Sequence, residues 1–180
     1  MRINAEDTMA LVIDVQERLV PAMKNSMECV RNIKLLTEGL TQLHIPFFMT
    51  QQYTKGLGMT VPEIQEDREP FSYYEKISFS CYENEEIKES IQKQQRKNII
   101  ICGIEAHICV LQTAVDLQAA GYQTIAVTNC IDSRKEEDKA EALKRFAYEG
   151  IMTATYESIL FELTRRAGSD TFKSISRLIK

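Results

Sequence analysis

The sequence predicts a three-layer α/β fold, with helices on both faces of a doubly wound, mainly parallel sheet of six strands. Three observations carry this. Short apolar runs alternate with amphipathic stretches along the chain. The apolar runs are nearly continuous rather than alternating, as strands buried on both faces require. No repeat, low-complexity tract or Gly/Ser linker divides the sequence, so residues 1–180 are expected to form one domain.

The elements follow in order. "MALVIDV" (Met9–Val15) reads as a buried strand. Met27–His44 reads as a helix with Val30, Ile33, Leu36, Leu40 and Leu43 on one face. Ile45–Gln52 reads as the second strand. "YTKGLGMTVPEIQEDREP" is rich in Gly and Pro and reads as a long loop. A short strand falls within "YYEKISFSCY", followed by a charged surface helix over Asn84–Lys97. Asn98–Ile104 is the next strand, and a helix is predicted from Ile108 to Ala120. Gln123–Asn129 is a strand, and the helix of Glu136–Gly150 is closed by its glycine. Ile151–Tyr156 is the last strand, with one or two helices after it.

Composition excludes several functions. The net charge is −4 with acids and bases interleaved, which gives no electrostatic reason to expect a nucleic-acid or anionic-membrane partner. No apolar run approaches the roughly 20 residues of a membrane span. The N-terminus lacks a signal-peptide layout, so a cytoplasmic protein is expected. The 5 cysteines show no CxxC spacing, and the 2 histidines fit no zinc pattern. No metal and no cofactor is expected.

Ligands of doubly wound sheets bind beyond the carboxyl ends of the strands. Asp14 ends the first apolar run, where a carboxylate is costly to bury without a partner. It reads as a cap, a buried structural pair or a base. Gln16 points to the same side if the strand continues. Cys109 opens a predicted helix, whose free N–H groups can lower a cysteine pKa by about one unit or more. Cys29, Cys102 and Cys130 read as packed hydrophobes, and Cys81 stays undecided. Lys76 stands among apolar neighbours, as either a surface lysine of a half-exposed strand or the charge partner of a thiolate. His107, two residues before Cys109, reads as a loop or rim residue.

"ALVIDVQERLVPAM", "QQYTKGLGMTVPEI", "EKISFSCY" and "IICGIEAHICVLQTAVDLQAAGYQTIAVTNCIDSR" together resemble the isochorismatase-like cysteine hydrolases, in the right order through most of the chain. The "YTKGLG" loop is similar to the branch with no assigned substrate. The resemblance implies an Asp14–Lys76–Cys109 triad. It also implies a cis peptide at Ile104–Glu105, which aims the N–H of Glu105 at the same point as that of Cys109, forming an oxyanion hole. Nicotinamidase-like members carry an Asp-x-His metal motif where this chain has "TQQYTKG", so the resemblance implies no metal. Isochorismatases proper lack the cysteine, so Cys109 argues against isochorismate as substrate.

The expected function is hydrolysis of a C–N bond in a small amide or carbamoyl compound through a covalent acyl-enzyme. Gln16, Gln52 and Tyr53 are candidates to line the pocket, with loop packing as the other role for the glutamines. The resemblance also implies self-association into a dimer or larger assembly, with the loop around Gly56–Pro62 over a neighbour's site. The alternative is a non-catalytic oligomeric interaction protein of the same fold. A redox role would need a resolving cysteine, and none stands at CxxC spacing to Cys109.

Overall fold

A computed structural model describes residues 2–65 and 70–180. Six strands form one sheet in the order β3-β2-β1-β4-β5-β6. They are β1 (Thr8–Ile13), β2 (Phe47–Gln52), β3 (Tyr74–Lys76), β4 (Asn98–Ile104), β5 (Gln123–Asp132) and β6 (Met152–Ala154). Every pairing is parallel, which sharpens the expectation of a mainly parallel sheet.

Period-2 alternation divides the strand side chains between two cores. Ala10, Val12, Ile100, Cys102 and Ile104 pack on one face against α1 (Ser26–Gln42), α7 (Tyr156–Thr164) and α8 (Asp170–Ile179). Met9, Leu11, Ile13, Ile99 and Ile101 pack on the other against α4 (Glu85–Lys93), α5 (Leu111–Ala119) and α6 (Glu136–Tyr148). Both faces are covered, which is why these strands are apolar throughout. The stripe of α1 is buried at Val30, Ile33, Leu36 and Leu40, with Leu43 partly covered.

Several boundaries differ from expectation for local reasons. β1 stops at Ile13 because Asp14 takes a left-handed backbone, φ 54°. Gln16 therefore does not continue a strand. The expected long loop holds two single turns, α2 (Thr54–Leu57) and α3 (Pro62–Gln65), while its residues 66–69 lie outside the described ones. β5 runs on to Asp132 through a bulge, its register against β4 jumping between Ile101 and Gly103. Gly150 closes α6 at φ 72°, as its position after the helix predicts.

The chain leaves one edge of the sheet after β3 and re-enters beside β1 at β4. The junction of β1 and β4 is thus the switch in strand order, where the carboxyl ends diverge and leave a crevice. Asp14 and the turn bearing Cys109 follow strands at that end, and Lys76 is the last residue of β3.

Candidate active site

Asp14 is fully buried and has defined partners for both oxygens. Lys76 Nζ lies 2.6 Å from Oδ2, and Thr50 Oγ1 donates to Oδ1 at 2.8 Å. The parallel registers make this possible: Ile13 pairs with Thr50, and Gln52 with Lys76. Three adjacent strands therefore deliver the group.

Lys76 is 1% exposed, which corrects the surface-lysine reading. Its ammonium also donates to the carbonyls of Ser78 at 3.2 Å and Phe79 at 3.1 Å. Burial, the largest single influence, works against its charge; the charge of Asp14, its hydrogen bond and smaller contributions together raise its pKa on balance. The ammonium is therefore charged at neutral pH.

Cys109 is 6% exposed and lies in a π-helical turn (Ala106–Val110) that leads into α5. The expected α-helical start at Ile108 is corrected accordingly. Burial raises the thiol pKa, the Asp14 charge raises it further, Lys76 offsets part of this, and a hydrogen bond to Asp14 adds to the rise. The expected depression by a helix N-terminus does not hold, because desolvation and the neighbouring carboxylate dominate. The resting group is a thiol under the influence of the Asp14 carboxylate. Such an arrangement prepares proton transfer at the moment of attack rather than a standing thiolate.

The Ile104–Glu105 peptide is cis. The Glu105 carbonyl accepts from Ile108 N at 3.1 Å and Val110 N at 3.2 Å, either side of Cys109. Gly103, paired with Ile13, holds φ 128°; a Cβ there would stand 2.1 Å from the Ile13 carbonyl oxygen. Only glycine lets β1 and β4 close at this point.

The pocket-lining expectations divide. Gln16 is fully buried, and its amide is spent on the backbone of Gln52 and Gly58, donating at 3.0 and 2.7 Å and accepting from Gln52 N at 2.7 Å. It packs the loop, which corrects the lining role. Gln52 is half-buried, donates to the Ile77 carbonyl at 2.8 Å and has Oε1 3.5 Å from Lys76 Nζ. Tyr53 is exposed at the end of β2. His107 is half-buried and meets Ser133 Oγ at 2.9 Å.

Sequence reasoning missed Thr50 and Arg134 and left Cys81 undecided. Thr50 is a polar residue inside an apolar strand, a signal that pairing with β1 would have made specific. Cys81 is fully buried; its sulfur lies 3.8 Å from Thr50 Oγ1, and its N–H donates to Thr113 Oγ1 at 2.9 Å. Through Thr50, which also donates to Asp14, it neighbours the site. Among the described residues no group of three or more His, Cys, Asp or Glu is arranged to hold a metal ion.

Comparison with known proteins identifies the class. The isochorismatase domain model matches residues 8–158. The chain is 33% identical over 179 residues to isochorismatase domain-containing protein 2 of Danio rerio, covering 99% of this chain and 89% of that protein. It is likewise 33% identical over 183 residues to the secreted isochorismatase effector Isc1 of Phytophthora sojae, covering 99% of this chain and 87% of the effector. Among solved structures, the MAR1 ribonuclease of Caenorhabditis elegans superposes with a TM-score of 0.91 at 31% identity, over 99% of this chain and 92% of that one. The YcaC product of Escherichia coli, described as an octameric hydrolase of unknown specificity, shares the fold with a TM-score of 0.92 at 20% identity, over 99% and 90% of the two chains. The chain belongs to the isochorismatase family and has the fold of its hydrolases. No helix among the described residues is long and apolar enough to cross a membrane.

Proposed function

We propose that this protein hydrolyses a C–N bond of a small amide or carbamoyl compound through a thioester on Cys109. The observation that carries this is a buried Asp14–Lys76 ion pair at 2.6 Å whose two charges both act on the Cys109 thiol. Asp14 accepts the thiol proton as sulfur attacks the carbonyl carbon. The backbone N–H groups of Glu105 and Cys109 receive the oxyanion. The C–N bond breaks, and the leaving amine takes the proton from Asp14. Asp14 then removes a proton from water, which attacks the thioester and returns the thiol. Lys76 stays paired with Asp14 between these steps.

The ribonuclease activity named for the nematode structure fits this chain less well. The net charge is −4, and Glu75, Glu83 and Glu85 line the surface hollow beside Lys76, which would repel a phosphodiester. A cytoplasmic location is part of the proposal, supported by five cysteines that are all free.

p-Nitrophenyl acetate and a panel of small amides test the reading. Wild type should give one acetyl group on Cys109 by mass spectrometry and release ammonia from at least one amide. Cys109→Ala should do neither; unchanged rates in that variant end the proposal. Acetylation also separates the rival: Cys109 acetylated no faster than the other four thiols favours a non-catalytic interaction protein.

Self-association belongs to the same reading. Tyr53, Ile77 and Phe79 stand exposed on the segments following β2 and β3, an apolar rim suited to cover by a second copy. Sedimentation velocity at micromolar concentration should show a species of at least two chains; a single-chain mass overturns it.

A further inference from the structure

Glu105 is tied to two separate parts of the fold. Its carbonyl receives the N–H groups of Ile108 and Val110, on either side of Cys109. Its carboxylate, nearly buried, receives Arg134 Nε, 2.9 Å from Oε1 and 3.3 Å from Oε2. Arg134 follows β5 in the segment leading to α6. Next to it, fully buried Ser133 meets His107 Nδ1 at 2.9 Å. His107 also lies 3.7 Å from Glu105 Oε2 and 3.7 Å from Asp138 Oδ2. The β5–α6 segment therefore grips the Cys109 turn at two points, Glu105 and His107.

The asymmetry of the pair is informative. An ion pair with both members in water contributes little. Here the acid is 9% exposed and the guanidinium 56% exposed, so the buried charge has a partner at the surface. A glutamine or an apolar residue at position 105 would fill the same space without that requirement. A charge at this place makes physical sense if the backbone beside it must be held to a few tenths of an ångström.

We propose that Arg134 is a positioning residue for acyl transfer: by holding the Glu105 carboxylate it fixes the Glu105 and Cys109 amides at the oxyanion position. This rests on the reading of Cys109 as nucleophile with those amides as donors. Arg134 touches no reacting atom. It acts through Glu105, and its loss leaves the Asp14–Lys76 pair untouched.

Two reagents separate positioning from general damage. Iodoacetamide alkylates a thiolate by displacement at a saturated carbon, so it reports access and ionisation of Cys109 alone. p-Nitrophenyl acetate acylates through a tetrahedral oxyanion, so it also reports the amide donors. The measured quantity is the acylation rate divided by the alkylation rate at Cys109. Arg134→Gln should lower that ratio about tenfold or more, because small displacements of the donors weaken the oxyanion contacts. Arg134→Lys should fall between, since it restores charge without the planar fork. Glu105→Gln, which keeps the shape and removes the charge, should lower the ratio as Arg134→Gln does, and it decides the matter should the arginine variant fail to fold. An unchanged ratio in folded Arg134→Gln and Glu105→Gln overturns the proposal and leaves the nucleophile reading intact. Equal acetylation of wild type and Cys109→Ala removes the nucleophile reading, and this proposal with it.

Discussion

Lys76 and Asp14 form a pair with no solvent on either side. Two charges out of water are held by their mutual attraction and by hydrogen-bond partners around them: Thr50 donates to the acid, and the Ser78 and Phe79 carbonyls accept from the ammonium. Removing one partner strands the other. Lys76→Met should therefore destabilise the fold by about 3–5 kcal/mol and abolish acylation of Cys109. Asp14→Asn combined with Lys76→Met should recover part of the lost stability, because no uncompensated charge remains. Urea denaturation of the two single variants and the double variant measures the coupling. Additive losses would mean that the pair is not the unit described here. The methionine is chosen because it keeps the stem that fills the space and removes only the ammonium.

At the scale of elements, legibility follows the strength of the local signal. β4 is readable to the residue because Asn98–Ile104 is unbroken, apolar and buried on both faces. The amphipathic stripe of α1 is readable for the same reason at a different period. β3 is three residues long at the edge of the sheet, so pairing with β2 defines it more than composition does. The bulge of β5 is invisible in sequence because a strand-disfavouring Asn129 reads as a strand end rather than a bulge; only the register against β4 reveals it. The turn bearing Cys109 reads as a helix start because it runs into the apolar stripe of Val110, Ala114 and Leu117, while the Glu105 carbonyl draws the N–H of Val110 into a wider, π-type bond. Asp14, Lys76 and Cys109 were found through motif resemblance supported by their place at strand ends. Thr50 and Arg134 were not, because what marks them is a partner 36 or 29 residues distant. Gln16 shows the converse: its position suggested a ligand contact, and the loop it staples consumes its amide.

Across the whole molecule, the five thiols make stability depend on alkaline pH in a defined direction. In the unfolded chain a cysteine ionises near 9.0. Burial pushes the thiol of Cys29 up to about 12 and that of Cys81 up to about 11, and those of Cys102, Cys109 and Cys130 are also raised, burial being the leading cause in each. Above pH 9 the unfolded chain sheds protons that the folded chain keeps. The thiols' contribution is therefore complete below the unfolded pKa and is lost as pH climbs from there toward the folded values. Lys76, whose folded pKa is raised through Asp14, works in the same sense. Each fully buried thiol costs about 1 kcal/mol of stability by about pH 10, so the molecule should lose several kcal/mol between neutral pH and that point. Urea denaturation in reductant at a series of pH values reads the slope directly. Cys29→Ala should shallow it by one thiol's share without altering the Asp14–Lys76 region, since Cys29 packs on the α1 face. Constant stability from pH 8 to about pH 10.5 would show that water reaches these sulfurs in the native state, and the two-sided burial that shapes this sheet would then be wrong.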